Sequence, residues 1–340
     1  MVLKVGINGF GRIGRNFFRI VADNHDIQVV AVNDLTNGPT LAHLLKYDSI
    51  HGQFNAMIES NEDIMCVNGR EIKVFAEKDP GKIPWRDAGV DVVVEATGRF
   101  TDYENAKRHL DAGARKVVIT APATMPNDAT IIIGVNQNWY DPAKNDIISC
   151  GSCTTNCLAP MVKVIHENIG VVRGSMTTVH SYTNDQNLLD LPHRDLRRAR
   201  AAAMSMIPTS TGATKLISLI FPELKGKISG LAVRVPTPNV SLTDLVLEVS
   251  RPTTKEEVNS LFKDAALGEL RGIVDYCDEP LVSRDFYGNP HSCIFDALST
   301  MVIDGTLVKT LAWYDNEWGY SNRVADLILF MALCERLAPK

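Results

Sequence analysis

The stretch VLKVGINGFGRIGRN, residues 2–16, determines the fold of the first part of the chain. It begins as an apolar run typical of a buried strand and continues into a helical pattern over 11–23. Gly9, Gly11 and Gly14 mark the passage from one to the other. Glycines at this spacing allow a tight turn, the approach of a pyrophosphate to the backbone, and close packing of the helix on the strand. The stretch therefore predicts a dinucleotide-binding βαβ unit.

The next strand pattern ends in a carboxylate. Asp34 follows the apolar run 27–33 and lies 20 residues after Gly14. A carboxylate at this place can accept hydrogen bonds from the adenine ribose hydroxyls, and its charge repels a 2′-phosphate. No arginine or lysine occurs in the following segment LTNGPT. The pattern predicts NAD, rather than NADP, as the cofactor.

Further apolar, β-branched runs continue through the first 150 residues, at 90–96, 115–121 and 130–135. Such runs, separated by crossover segments, are typical of a parallel sheet that is covered on both faces. The sequence predicts an α/β domain with a Rossmann-type parallel sheet.

The composition changes after residue 150, where strand patterns lie next to one another with few helices between them. The expected elements are a helix that starts near Cys153, strands at 171–182, within 229–250 and within 292–314, a helix at 253–267, and a last helix at 319–337. This grouping predicts an α+β catalytic domain with a mostly antiparallel or mixed sheet. We assign residues 1–152 and 317–340 to the nucleotide domain and 153–316 to the catalytic domain.

The overall composition is that of a soluble globular protein. Of 340 residues, 45% are hydrophobic and 22% are charged, and the formal net charge is −5. This charge favours neither nucleic acid nor an anionic membrane as a partner. No run of 18 apolar residues occurs, and the first strand pattern begins at once, so we expect no membrane span and no signal or transit peptide. The seven cysteines are expected to be reduced thiols, which predicts a cytoplasmic location.

Three cysteines cluster in the segment SCGSCTTNC, residues 149–157. Structural zinc needs four ligands, and no second cysteine pair or His-x3–5-His pattern lies nearby, so no metal is expected. Cys153 lies where a polar turn becomes a helix, and a helix N-terminus lowers the pKa of a thiol. His180, at the end of the 171–182 strand, is a candidate base for it. Spacing alone leaves purely structural packing of both residues equally open.

The segment HRDLRRAR, residues 193–200, contains four arginines. Nucleic-acid contact is disfavoured, because no aromatic residues are interleaved and the chain is acidic. A solvated or interface face and the recognition of small phosphates both remain open, and guanidinium geometry suits the second. We expect one or two of these arginines to bind anions. Arg234, in a later strand pattern, is a further isolated cation.

Several segments together resemble the glyceraldehyde-3-phosphate dehydrogenase family over essentially the full chain. They are INGFGRIGR (7–15), HLLKYDSIHG (43–52), SCTTNCLAP (152–160), TTVHSYTNDQ (177–186), HRDLRRARAAA (193–203), PTSTGA (208–213), RVPTPNVS (234–241) and WYDNEWGYSNRV (313–324). Two departures stand out. Cys150-Gly151 replaces the usual Asn-Ala pair, and Lys78 stands where many members carry arginine.

The resemblance implies a role for each of a set of residues. The nucleophile would be Cys153 and its base His180. The cofactor-binding residues would be Gly9, Gly11, Arg12, Ile13, Gly14, Asp34, Lys78, Thr120 and Asn316. The substrate phosphate would bind Thr183 and Arg234, and inorganic phosphate would bind Ser152, Thr154, Arg198, Thr211 and Gly212.

The activity that the resemblance implies is NAD-dependent, phosphorylating oxidation of glyceraldehyde 3-phosphate through a thioester, in glycolysis or gluconeogenesis. It also implies a homotetramer, with the arginine segment in a loop at an interface. Erythrose-4-phosphate dehydrogenase, which hydrolyses its thioester, is the nearest alternative, followed by aspartate-semialdehyde dehydrogenase. A catalytically silent binding protein is the alternative from another class.

Overall fold

A computed structural model of the protein describes residues 2–123 and 129–337. The chain divides into two compact units. Unit 1 consists of Met1–Ile131, Gln137–Gly151 and Ser321–Lys340, and unit 2 consists of Ile132–Asn136 and Ser152–Tyr320. None of the helices in the described ranges is long and apolar enough to cross a membrane.

Unit 1 contains a large sheet with helices between its parallel strands. The strands are β1 Leu3–Asn8, β2 Ile27–Asn33, β3 Tyr47–Asp48, β4 Gly52–Gln53, β5 Ile58–Ser60, β6 Ile64–Val67, β7 Arg70–Phe75, β8 Val92–Glu95, β9 Lys116–Ile119, β10 Ala129–Thr130 and β11 Ile147–Ser149. The helices are α1 Arg12–Val21, α2 Gly38–Lys46 and α3 Tyr103–Asp111, with 3-10 turns at Pro80–Lys82 and Gln137–Trp139. The long helix α7, Trp318–Leu337, begins in unit 2 and continues in unit 1.

The described strands of the large sheet have the order β10-β11-β9-β8-β1-β2-β7-β6-β5, and β3 pairs with β4 in a separate two-stranded sheet. Pairing is parallel from β10 to β7, which confirms the predicted Rossmann-type parallel sheet. Strands β5 and β6 extend it in antiparallel fashion, which the sequence did not predict. The parallel strands β8 and β9 are buried throughout, because helices cover both faces of such a sheet.

The strand predicted over 130–135 is wrong for most of its length. Only Ala129–Thr130 pairs with β11, and the chain then turns. Asn136 folds back so that its side-chain oxygen accepts the Ile132 N–H at 2.7 Å, and Gly134 has a φ of +89°. The apolar run is explained by burial of Ile132 in the hydrophobic core of unit 2.

Unit 2 is an α+β unit. Its strands are β12 Val171–Ser181, β13 Ile207–Thr209, β14 Ile228–Val235, β15 Ser241–Val249, β16 Val274–Cys277, β17 Cys293–Ile303 and β18 Leu307–Tyr314. Its helices are α4 Cys153–Asn168, α5 Ala213–Ile220 and α6 Lys255–Leu267, with 3-10 turns at Ala202–Met204, Pro222–Leu224 and Ser283–Phe286. The described strands form one mixed sheet in the order β13-β14-β12-β15-β18-β17-β16, as the sequence predicts.

The core of unit 2 lies between this sheet and the helices α4, α5 and α6. Nearly every residue of α4 from Thr154 to Val162 is buried. In α6, the ring of Phe262 stacks on Phe295 of β17 with 3.9 Å between ring centroids. Packing of this kind fixes the position of α4, and with it the residue at its first turn, relative to the ends of the strands.

Strand register brings polar side chains together at one edge of the unit 2 sheet. In the parallel pair β12–β14, His180 lies beside Arg234. In the antiparallel pair β15–β18, Ser241 lies beside Tyr314. Because β12 lies between β14 and β15, all four residues meet at the same end of neighbouring strands.

Candidate active site

The glycine turn of unit 1 follows β1 and precedes α1, as predicted. Gly9 has a φ of +92°, which glycine adopts without strain. A Cβ on Gly9 would lie 2.7 Å from the Thr97 backbone nitrogen, and one on Gly14 would lie 2.2 Å from the Gly9 carbonyl oxygen. Both glycines are therefore required by the protein's own packing.

Gly11 differs from the other two glycines. A Cβ there would meet no heavy atom within 4 Å, and its φ of −73° suits any residue. The protein itself gives no steric reason for glycine at this position. The open space in front of Gly11 fits a ligand that approaches the backbone at the start of α1, where the N–H groups of the first turn favour an anion.

A cavity of about 540 Å³ opens at the carboxyl ends of β1, β2 and β8. Its lining includes Gly9, Gly11, Asp34, Lys78 and the loop Ala96–Phe100. Asp34 accepts hydrogen bonds from the N–H groups of Phe10 and Leu35, each at 2.7 Å, which orients its carboxylate. The two oxygens keep further lone pairs for ribose hydroxyls. Open parallel sheets bind ligands outside the carboxyl ends of their strands, where neighbouring crossover connections leave toward opposite faces of the sheet. The position and the lining residues of this cavity therefore fit a dinucleotide.

Two of the other predicted cofactor residues of unit 1 lie at this turn, and the third, Thr120, follows β9. Arg12 and Ile13 open α1, and the Arg12 guanidinium forms an ion pair with Asp48. Burial raises the pKa of Asp48, but hydrogen bonds from the His51 N–H and from Arg12 outweigh it and lower the pKa to about 2. Thr120 donates through its N–H and hydroxyl to the Glu95 carbonyl at 3.0 and 3.1 Å, and it does not line the cavity.

The predicted nucleophile lies at the first turn of α4. Ser152 caps the helix, since its Oγ accepts the Thr155 N–H at 3.0 Å, and Cys153 is the first helical residue. The Cys153 Sγ lies 3.5 Å from Nε2 of His180, at the end of β12. The structure thus brings together the two residues that the sequence singled out. Cys157, one turn further along α4, is fully buried.

The hydrogen bonds of His180 define its tautomer. Its Nδ1 lies 2.7 Å from the Ser181 carbonyl oxygen, which can only accept, and 3.0 Å from Nη1 of Arg234, which can only donate. Because Nη1 has other acceptors in that carbonyl and in the Thr183 Oγ1, both at 3.1 Å, we assign the Nδ1 proton to the shorter contact with the carbonyl. Nε2 then has a lone pair directed at the thiol. Burial first, and the charge of Arg234 second, lower the pKa of His180 to about 3, so the imidazole is neutral at physiological pH. It is therefore ready to accept a proton from Cys153.

The predicted lowering of the thiol pKa is wrong. Burial raises the pKa of Cys153 to about 11, and it outweighs Arg234 and the bonds to Thr154, which act in the opposite direction. Burial thus favours a neutral thiol beside a neutral imidazole. Moving the proton from Sγ to Nε2 creates opposite charges 3.5 Å apart, and their attraction offsets part of the desolvation cost.

Tyr314 packs next to the Cys153–His180 pair. Its hydroxyl lies 3.0 Å from the Thr154 Oγ1 and 2.7 Å from the Thr178 Oγ1, and all three groups are buried. Its ring packs edge-on against His180, with centroids 6.0 Å apart. Tyr314 therefore ties α4 to β12 and fixes the plane of the imidazole.

Cationic side chains surround an anion position next to the thiol. The Arg234 guanidinium lies 3.1 Å from the Thr183 Oγ1 and 3.1 Å from the Ser181 carbonyl. The Asp185 carboxylate accepts bonds from Thr183 and from Arg198. Burial raises the pKa of Asp185, but the Thr183 hydroxyl and the charges of Arg234 and Arg198 outweigh it and lower the pKa. These side chains thus already surround one anionic group, the carboxylate of Asp185.

The residues predicted to bind inorganic phosphate have mixed surroundings. Arg198 also contacts the Thr209 Oγ1 at 3.0 Å, and its side chain is 17% exposed, unlike the exposed Arg197 and Arg200. Thr211 accepts the Ala213 N–H at 3.3 Å, and Gly212 precedes α5 with open space around its α-carbon. The hydroxyl of Thr154 faces Tyr314, so an anion would contact its backbone rather than its side chain.

Asn316 has a fixed amide orientation. Its Oδ1 accepts hydrogen bonds from the hydroxyls of Ser181 and Ser241, both at 2.9 Å. The side chain is 5% exposed. The amide nitrogen is therefore the group left to donate, which suits recognition of a carboxamide oxygen.

Comparison with known proteins identifies the family of the chain. Residues 3–103 match the model for the glyceraldehyde 3-phosphate dehydrogenase NAD binding domain, and residues 152–316 match the model for its C-terminal domain. The chain belongs to the glyceraldehyde-3-phosphate dehydrogenase family. It is 62% identical to the glyceraldehyde-3-phosphate dehydrogenase of Geobacillus stearothermophilus over 98% of this chain and 99% of that one. Identity to glyceraldehyde-3-phosphate dehydrogenase 1 of Bacillus cereus is 61%, over 96% and 98% of the two chains. Identity to that of Bacillus subtilis (strain 168) is 59%, over 98% and 99%.

These matches to the glyceraldehyde-3-phosphate dehydrogenase family do not favour the alternative activities that the sequence left open. Among residues 2–123 and 129–337, no group of three His, Cys, Asp or Glu side chains has the geometry to hold a metal ion. The departure at Cys150-Gly151 is accommodated by the backbone. Cys150 is fully buried, which raises the pKa of its thiol to about 12, and Gly151 adopts a φ of +66°.

Sequence reasoning missed Tyr314, Thr178 and Asp185 around the thiol. A signal was available for Tyr314, because it lies in the segment WYDNEWGYSNRV that carried the family resemblance. Thr178 and Asp185 lie in TTVHSYTNDQ, another of those segments, but their residue types by themselves indicate no role. A threonine in a strand and an aspartate in a loop are ordinary, and only strand register shows what they contact.

Gly11→Ala should separate ligand contact from packing. Because a Cβ there meets no protein atom, we expect a stability cost of at most about 1 kcal/mol. NAD affinity should fall by about tenfold or more, since the methyl group occupies the approach to the helix N-terminus. Calorimetric titration with NAD and thermal unfolding measure the two effects. Gly14→Ala is the control and should lose about 2 kcal/mol of stability. Unchanged NAD affinity in Gly11→Ala contradicts the assignment.

Acid sensitivity should reflect the buried neutral His180. Its folded pKa of about 3 lies below its ordinary 6.5, so only the unfolded state takes up this proton in that window. The resulting stability is present above pH 6.5 and is lost as the pH falls toward 3. We expect His180→Asn to flatten this loss by at most about 1.4 kcal/mol per pH unit, measured by denaturant unfolding. His25→Asn, at an exposed position, should leave the profile unchanged. Identical profiles for His180→Asn and wild type would refute the neutral assignment.

Proposed function

We propose that the chain is an NAD-dependent, phosphorylating glyceraldehyde-3-phosphate dehydrogenase. It oxidises D-glyceraldehyde 3-phosphate to 1,3-bisphosphoglycerate, a reaction of glycolysis and gluconeogenesis. The observation that carries the proposal is the 3.5 Å approach of the Cys153 thiol to the unprotonated Nε2 of His180, with Arg234 beside them. The family to which the chain belongs supports the substrate and the cofactor.

The first step is attack on the aldehyde. Nε2 of His180 takes the thiol proton as the Cys153 sulfur forms a bond to the aldehyde carbon. The carbonyl electron pair moves to oxygen, where the N–H groups at the start of α4 stabilise the charge. The imidazolium returns the proton to that oxygen, which gives a hemithioacetal on Cys153 and restores neutral His180.

The second step is oxidation. Bound NAD would accept a hydride, that is, one proton together with two electrons. As the hydride leaves the hemithioacetal carbon, Nε2 of His180 takes the hydroxyl proton, and the C–O bond becomes a carbonyl. The product on Cys153 is a thioester, and His180 is now an imidazolium. The Ser181 carbonyl, which accepts from Nδ1 at 2.7 Å, stabilises that cation.

The third step is release of the acyl group. An oxygen of inorganic phosphate forms a bond to the thioester carbon, the C–S bond breaks, and its electron pair leaves on sulfur. The imidazolium of His180 protonates the departing thiolate. This restores the neutral pair and completes the acyl phosphate.

Two anion positions are required because substrate and nucleophile each bring a phosphate. Arg234 and Thr183 would hold the phosphate of the substrate. Arg198 and Thr211, with the backbone at Gly212, would hold inorganic phosphate, together with Ser152 and Thr154. The carboxylate of Asp185, bonded to both Thr183 and Arg198, supports the proposal that these donors converge on anionic oxygen.

For the cofactor, residues 1–152 with 317–340 would form the binding domain and 153–316 the catalytic domain. Gly9, Gly11, Gly14 and the first turn of α1 would hold the pyrophosphate, and Asp34 the adenine ribose. Lys78, on the cavity rim, would approach the adenine. Asn316 would donate to the nicotinamide carboxamide. Thr120 would act indirectly, through its hydrogen bonds to the backbone carbonyl of Glu95.

We also propose a cytoplasmic homotetramer. Six large apolar side chains on the segment 188–206 are at least 60% exposed, namely Leu188, Leu189, Leu191, Leu196, Met204 and Met206. Exposure of this kind is typical of surfaces that a partner subunit covers. The arginines around them that do not bind anions would then lie at the interface.

The reaction should require inorganic phosphate. With glyceraldehyde 3-phosphate and NAD, we expect sustained NADH formation when phosphate or arsenate is present. Without it, a burst of about one NADH per chain should be followed by a stall, because the thioester accumulates. Absorbance of NADH in a stopped-flow instrument measures both phases. A steady rate that is indifferent to phosphate, or larger with erythrose 4-phosphate, would instead identify a hydrolytic enzyme.

Lysine substitutions should separate the two anion positions. Arg234→Lys and Arg198→Lys each keep the charge but lose the planar fork of donors. We expect Arg234→Lys to raise the KM for glyceraldehyde 3-phosphate by about tenfold or more, the effect of a lost charge-assisted hydrogen bond. Arg198→Lys should raise mainly the KM for phosphate. Steady-state kinetics with either substrate varied decides the assignment. The reverse pattern would exchange the two roles, and Arg115→Lys, at a side chain of unit 1 that is 62% exposed, serves as the control.

A further inference from the structure

A polar cluster lies buried in unit 1, directly behind the cavity proposed for NAD. It consists of Trp85, His109, Glu95 and Asn8, each at most 2% exposed. Glu95 ends the strand β8 after three buried valines. Among the described residues, no lysine or arginine forms an ion pair with it, and its titratable partner is His109, with Nε2 3.0 Å from Oε2 of Glu95. A buried carboxylate without an arginine or lysine is costly unless hydrogen bonds compensate it.

The direction of each hydrogen bond follows from the donors. The Trp85 indole can only donate, and it contacts Nδ1 of His109 at 3.0 Å. Nδ1 is therefore the acceptor, and Nε2 carries the proton that is donated to Oε2 of Glu95 at 3.0 Å. His109 is thus held with Nδ1 accepting from Trp85 and with its Nε2 proton directed at Glu95.

Four donors saturate the Glu95 carboxylate, two on each oxygen. Oε2 accepts from His109 and from the Asn8 amide, the latter at 2.6 Å. Oε1 accepts from the N–H of Thr97 at 2.9 Å and from its hydroxyl. The carboxylate therefore fixes Thr97 in the loop Ala96–Phe100, which lines the cavity.

The same bonds reach the other walls of the cavity. The side-chain oxygen of Asn8 accepts from the side-chain amide of Asn33 at 2.8 Å. Asn33 in turn binds the backbone of Glu77 through both ends of its side chain, at 2.8 and 2.9 Å. Thr97 itself packs so closely on Gly9 that no Cβ fits between them. A continuous series of hydrogen bonds thus connects the carboxyl ends of β1 and β2 with the segments that follow β7 and β8.

We propose that Glu95 is a positioning residue for NAD, and that His109 and Trp85 orient it. Through Thr97 and Asn8, its carboxylate holds the loop Ala96–Phe100 against the glycine turn and sets the width of the cavity. Glu95 itself lies behind the cavity wall and does not contact the cofactor. This inference rests on the proposed function, because it takes NAD as the ligand of the cavity.

Glu95→Gln tests the proposal directly. The amide nitrogen must replace one carboxylate oxygen, and it then faces two donors, either His109 and Asn8 or the two of Thr97. We expect the Kd for NAD, measured by calorimetry, to rise by about tenfold or more, since two of the four hydrogen bonds of the carboxylate are lost. The rate of Cys153 alkylation by iodoacetamide should stay within about twofold of wild type, because the thiol site lies in unit 2.

The variants of His109 and Trp85 distinguish positioning from general stability. His109→Gln can accept from Trp85 and donate to Glu95, so its Kd should stay within about threefold of wild type, whereas His109→Leu should raise it by about tenfold. Trp85→Phe frees Nδ1 of His109 and should raise the Kd severalfold. Lys116→Met removes a buried polar group on β9, outside this chain of hydrogen bonds, and should lower stability without changing the Kd.

The inference is overturned when Glu95→Gln and His109→Leu bind NAD as wild type does while their unfolding temperatures fall, since the cluster is then structural only. If Glu95→Gln does not fold, Trp85→Phe decides the question by the same comparison. Failure of the wild-type chain to bind NAD would instead refute the proposed function. Wild-type binding with unaffected variants would refute only the role of Glu95.

Discussion

The proposed chemistry depends on one contact, the 3.5 Å approach of the Cys153 sulfur to Nε2 of His180. Each residue reaches that contact through a different constraint. Ser152 caps α4 and places Cys153 at its first turn, while the register of β12 places His180 beside Arg234. The Tyr314 hydroxyl, between threonines of α4 and β12, ties the two elements together. The chemistry requires a base whose tautomer and protonation are both fixed, and the Ser181 carbonyl and burial supply these two conditions.

Burial has a double effect on this pair. It keeps both partners neutral at rest, which limits unproductive reaction of the thiol, and it makes the transient charges of the reaction sensitive to nearby dipoles and cations. Arg234 lies close enough to favour a thiolate and to disfavour an imidazolium. The same guanidinium contacts Thr183 in the proposed phosphate site. One side chain thus couples substrate recognition to the electrostatics of the nucleophile.

Much of the fold follows from local pattern, and less of the site does. The glycine turn, the parallel strands, the start of α4 and most elements of unit 2 are predictable, because each depends on periodicity, capping or turn chemistry. The strand expected at 130–135 was not found, since burial of Ile132 produces the same apolar pattern as a strand. The thiol pKa was wrong because burial is a tertiary property. The contacts of Tyr314 and of the Glu95 cluster depend on strand register, although the carboxylate of Glu95, near the end of VDVVVEA, was visible in the sequence.

The central claim is that the acyl group is carried on Cys153, and peptide mass spectrometry of the quenched reaction tests it most directly. The chain is mixed with glyceraldehyde 3-phosphate and NAD without phosphate, quenched in acid and digested. The account predicts a 3-phosphoglyceroyl adduct on the peptide that contains Cys153, its discharge when phosphate is added before the quench, and its absence in Cys153→Ser. NADH formation without any adduct on Cys153, or an adduct on another residue that phosphate discharges, would contradict it.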